Sequence, residues 1–157
     1  MKTAILLGIV ICLTLSFSVP KKEFTLQEIL MNPMFEVTTT SNGGHSKQSV
    51  KLKINSKYKS NINVVIPSGT LFYPENEGQQ TLVAPVQQIL AIKPNSNTIK
   101  LNGFCTEASD GCPTEGNNFT IGITDNTKLQ KLFTFMDENE IGIHNIQEAI
   151  WCITDDE

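Results

Sequence analysis

Val50-Lys51-Leu52-Lys53-Ile54 and Ile62-Asn63-Val64-Val65-Ile66 are the stretches on which the fold turns. In the first, apolar and lysine residues alternate strictly, so one face is apolar and the other wet, the mark of a half-buried strand. Lys47, Lys51, Lys53, Lys57 and Lys59 cluster here, and their alternation with Val50, Leu52 and Ile54 reads as a solvated strand face rather than a binding stripe. The same period of two extends outward through Phe35-Val37 on one side and Leu71-Phe72 on the other. It continues through Thr81-Leu82-Val83, Gln88 to Ile92, Thr98 to Leu101 and Phe119-Thr120-Ile121. Between these runs lie Ser41-Asn42-Gly43-Gly44, Pro67-Ser68-Gly69, Glu75-Asn76-Glu77-Gly78 and Lys93-Pro94-Asn95-Ser96-Asn97, residues that tolerate positive φ or hydrogen-bond their own backbone.

Short strands at this spacing predict a mainly β protein, an antiparallel β-sandwich of immunoglobulin-like type with short C-terminal helices packed on it. There is no strand–helix alternation, which excludes a parallel-sheet enzyme fold. Thr25-Leu26-Gln27-Glu28 has the spacing of a capping box and predicts a brief helix ending near Asn32-Pro33. From about residue 127 helices replace strands. Leu129, Leu132, Phe133 and Met136 fall on one helical face, capped by Asn126 or Thr127. A final helix, capped by Asn145, runs to about Ile153 and buries Ile146, Ala149, Ile150 and Ile153.

The first eighteen residues read as an export signal: Met1-Lys2, an apolar run from Ala4 to Leu15, and small residues at Ser16 and Ser18 ahead of the cut. Residues 19–157 then form one domain, placed in the secreted, periplasmic or cell-surface compartment without a transmembrane segment. Ile11 precedes Cys12 where a lipid anchor needs a small residue. Loss of Lys2 leaves eleven lysines against sixteen carboxylates, a net charge of −5, and nucleic acid is excluded as a partner. The chain has no arginine, so it lacks the bidentate fork that grips phosphate and carboxylate ligands. The lysine-rich, asparagine-rich composition suits a bacterial source.

Three cysteines remain after the signal: Cys105, Cys112 and Cys152. The short loop from Thr106 to Gly111 predicts a Cys105–Cys112 disulfide, leaving Cys152 as a small buried residue beside Trp151. Pairing of Cys152 with either loop cysteine would tie the last helix to the loop instead. A zinc site from these three thiols and His144 lacks the usual ligand spacings, so no metal or other cofactor is expected. His45 in a Gly-rich loop and His144 ahead of the last helix read as surface or capping residues, and no catalytic residue is assigned.

Gly103-Phe104-Cys105 and Ile146-Gln147-Glu148-Ala149-Ile150-Trp151 resemble the two signatures of bacterial surface thioester domains. That resemblance implies an internal Cys–Gln thioester, with Cys105 as sulfur donor and Gln147 as acyl donor, in an adhesin that acylates amines. A broader resemblance over residues 48–154 links the chain to small exported bacterial β-sandwich domains of unassigned activity. The composite reading is an exported, non-catalytic binding or structural module. Its partner would be an extracellular protein or carbohydrate, met by the loops Gly69 to Gly78 and Cys105 to Asn118. Tyr73, Glu75, Glu107 and Asp110 are the contact candidates, and the thioester adhesin acting through Cys105 and Gln147 is the alternative.

Overall fold

The computed structural model describes residues 22–155. The expected export signal, its cut after Ser18, and the last two acidic residues lie outside that range. Among the described residues ten strands form three sheets, followed by two of the three helices, so the chain is a mainly β sandwich with short C-terminal helices.

The N-terminal element β1 (Glu23–Thr25) runs straight into α1 (Leu26–Met31). Here the predicted capping box is formed. The Thr25 hydroxyl accepts from the Glu28 amide at 3.2 Å, and the Glu28 carboxylate accepts from the Thr25 amide at 2.6 Å. The Thr25 amide first, and then the Thr25 hydroxyl, which donates to the same carboxylate at 3.0 Å, hold the Glu28 carboxyl below its usual range. β1 itself was not foreseen. It pairs in parallel with β4 (Ile62–Ile66), the one parallel contact in an otherwise antiparallel set of ladders among the described strands.

β3 (Val50–Ser56) is the centre of its sheet, flanked by β2 (Phe35–Ser41) and β8 (Asn95–Leu101). Val50, Leu52 and Ile54 are fully buried while Lys53 is exposed, so the alternation read from sequence is the inside–outside pattern of the strand. β4 is likewise central, between β1 and β7 (Gln88–Ile92). The third sheet has the order β10 (Phe119–Ile123), β5 (Thr70–Pro74), β6 (Leu82–Ala84), β9 (Phe104–Cys105). β8 starts earlier than its turn chemistry suggests, because the Asn97 side chain closes the turn by pairing with both the N–H and C=O of Lys93.

Side chains of all three sheets and of α1 meet in one large core, which includes Leu26, Leu52, Ile54, Ile66, Phe72 and Leu101. Tyr58 packs on Phe24 and Phe35 at the rim of this core, with the Lys22 ammonium over its ring. A second, smaller core lies between the third sheet and the helices α2 (Thr127–Glu138) and α3 (Ile146–Thr154). Leu71, Val83 and Phe104 from the sheet meet Leu129, Phe133 and Met136 from α2 and Ile146 and Ile150 from α3. Asn126 caps α2 through bonds from the Lys128 and Leu129 amides.

Candidate functional site

β9 is the edge of its sheet, and what lies along that edge builds the site. Gly103 precedes it in a close approach: a Cβ there would sit 2.9 Å from both Ser49 Oγ and Val50 Cγ2. The Ser49 hydroxyl uses that closeness to donate to the Gly103 carbonyl at 2.7 Å. The segment carrying His45 and Lys47 then runs beside β9, its two carbonyls accepting from the amides of Cys105 at 3.0 Å and Gly103 at 2.7 Å.

Gln147, in the first turn of α3, completes the edge. It is buried, and its carboxamide makes two bonds to the backbone of one residue. Oε1 accepts from the Cys105 amide at 3.1 Å, and Nε2 donates to the Cys105 carbonyl at 2.7 Å. A buried carboxamide needs such partners, since each unpaired group would cost about 1–3 kcal/mol. Ile146 and Ile150 anchor the helix in the smaller core, so the packing of α3 delivers Gln147 to Cys105 across 42 residues of sequence. The two residues singled out by the thioester resemblance are thus neighbours.

Cys105 is fully buried. Loss of water, then the neighbouring Cys112 and Glu107, push its thiol up to about 12. The expected Cys105–Cys112 bridge is not formed: both are free thiols, 4.4 Å apart. The loop brings them together as the spacing suggested, but Cys105 points into the core while Cys112 is exposed. Cys152 is a further correction, being exposed rather than buried, because α3 turns Ile146, Gln147 and Ile150 inward and leaves position 152 on the opposite side. Asn145 corrects the capping expectation too. It sits in the left-handed region at φ 61° and its side chain makes no cap bond, so it serves as the turn into the helix.

Outside Gln147 opens a cleft of about 220 Å³. Its walls include His45, Lys47, Phe104, His144, Glu148 and Trp151. Sequence reasoning read the two histidines as surface or capping residues, and nothing in their spacing signals that the fold brings them to one cleft. The Trp151 indole N–H, one helical turn beyond Gln147, is buried without an acceptor.

The loop candidates divide. Residues 70–74 are strand β5 rather than loop, which shortens the expected Gly69 to Gly78 contact loop. Tyr73 is 41% exposed, and its ring covers Gly122 on β10. Tyr73 and Glu107 line one groove of about 270 Å³ between the third sheet and α2. Glu75 lies apart, bonded to Asn118 through backbone and side chain. The Asp110 carbonyl is held by the buried Gln80 side chain. Partial loss of water, then Asp110 and Asp155, raise the Glu107 carboxyl above its ordinary range. Among the described residues no group of three metal-ligating side chains converges, and no helix is long and apolar enough to cross a membrane. No family model matches the chain, and no curated protein or solved structure matches it.

Proposed function

We propose that this domain forms an internal thioester between Cys105 and Gln147 and uses it, outside the cytoplasm, to acylate an amine on a partner. The observation that carries this reading is the buried Gln147 carboxamide seated on the backbone of Cys105. In the forming step the Cys105 sulfur bonds to Gln147 Cδ, the C–N bond breaks, and ammonia leaves with the thiol proton. Burial supports the product. A thiolate is strongly disfavoured at this site, whereas a neutral thioester carries no charge to desolvate. Opening by an amine then transfers the acyl group and returns the thiol.

A purely structural glutamine would make the same two hydrogen bonds by closing the sheet edge, so the test must follow covalent chemistry. Intact mass of the exported protein, with and without reductant and methylamine, separates the cases. The expected result is loss of one ammonia, reversed by methylamine and absent in Cys105→Ala. Loss of two hydrogens restored by reductant means a Cys105–Cys112 disulfide and rejects the thioester. Loss of ammonia that methylamine does not reverse means an amide to a lysine of the chain, with Lys47 in the cleft as the first candidate.

A second reading, a non-covalent module for an extracellular protein or carbohydrate, is supported by the groove that joins exposed Tyr73 to Glu107. Under that reading Tyr73→Ala weakens binding and Gln147→Ala leaves it intact.

A further inference from the structure

The two histidines of the chain lie far apart in sequence, at positions 45 and 144. His45 contributes to the fold through its backbone carbonyl, which accepts from Cys105. Both residues are exposed, and both line the cleft whose floor includes Gln147. Lys47 and Glu148 are the charged groups on the same walls, and Glu107 and Cys112 act on Cys105 from outside this lining.

Resting on the thioester reading, we propose that His45 and His144 are the proton-transfer groups of acyl transfer, and that the cleft between them admits a primary amine. An amine arrives mostly as its ammonium form at neutral pH, which cannot attack. The Glu148 carboxylate favours that cation at the cleft, and a neutral imidazole takes its proton. The amine nitrogen then bonds to Gln147 Cδ, the C–S bond breaks, and the sulfur leaves. Burial makes a free thiolate a poor leaving group here, so the imidazolium just formed returns a proton to Cys105. After addition the nitrogen gives its second proton to the other imidazole, which passes it to water, so an ammonium and the thioester yield one amide, one thiol and one released proton. An imidazole can both accept and donate a proton, which is what the two halves of this exchange require.

The test uses the exported chain, methylamine as nucleophile, and the double variant His45→Gln/His144→Gln beside each single variant. Because both side chains are exposed and the His45 bond comes from its backbone, circular dichroism should match wild type. The double variant is expected to lose ammonia on folding as wild type does, yet capture methylamine about a hundredfold more slowly. Added imidazole should restore part of that rate. Capture at the wild-type rate overturns the proposal, as does a double variant that folds but never loses ammonia, which would place the histidines in thioester formation. Wild-type protein that never loses ammonia defeats the underlying thioester reading, a failure distinct from both.

Discussion

The larger core and the smaller one obey different rules. The sheet-on-sheet core draws on strands whose alternation is almost uninterrupted, and apart from the Cys105 thiol its walls are aliphatic or aromatic. The helix-on-sheet core joins three strands, β5, β6 and β9, to the two helices that arrive last in the chain, and where it meets the larger core sit a buried glutamine, a buried thiol and an orphaned indole N–H. The first region is consistent at every level, from local pattern to packing. The boundary between the two carries polar groups that packing alone does not ask for, and such departures are where function is expected.

Breaking each region should therefore have different consequences. Phe72→Ala, at a fully buried ring in the larger core, should cost about 3–5 kcal/mol and unfold the whole domain cooperatively in urea. Gly103→Ala strikes the junction between the regions. The new Cβ meets Ser49 and Val50, so β9 must shift, and overpacking of this kind costs about 1–3 kcal/mol. In addition, the Cys105–Gln147 contact should loosen, read as slower loss of ammonia in intact mass. Asn126→Ala removes the cap of α2 and should cost about 1 kcal/mol, with the loss seen first as faster amide exchange in α2. If Asn126→Ala instead shifts the whole unfolding curve as Phe72→Ala does, the two cores form one cooperative unit and the contrast fails.

Sequence carried the larger core nearly whole, because period-two alternation is a local property that each strand displays alone. Val50, Leu52, Ile54, Ile62, Val64 and Ile66 are buried as their spacing requires. It missed β1, whose three residues pair in parallel with β4, since parallel pairing depends on a partner strand and leaves no turn signal. The capping box at Thr25 was legible and the cap at Asn145 was misread, because an asparagine before a helix also suits the left-handed turn found there. For the site, two short motifs were enough to nominate Cys105 and Gln147, and a sheet edge was needed to show them in contact. The convergence of His45 and His144 is a property of topology alone.

The effect on folding that vanishes at neutral pH sharpens the comparison most. A free Cys105 thiol keeps its proton in the folded protein up to about 12, against an ordinary value of 9.0 in the unfolded chain. The folded state then binds the extra proton, so the stability this group contributes is whole below about 9 and is lost as pH rises through about 12. A thioester has no proton to release, so wild-type protein carrying one should show no such alkaline slope from residue 105. Gln147→Ala restores the free thiol and should introduce the slope, while Cys105→Ala lacks it in either background. Urea unfolding of the three proteins between pH 8 and pH 11 would read the difference. A wild-type curve that parallels Gln147→Ala would mean that Cys105 is a thiol in the native protein and that Gln147 serves only to close the sheet edge.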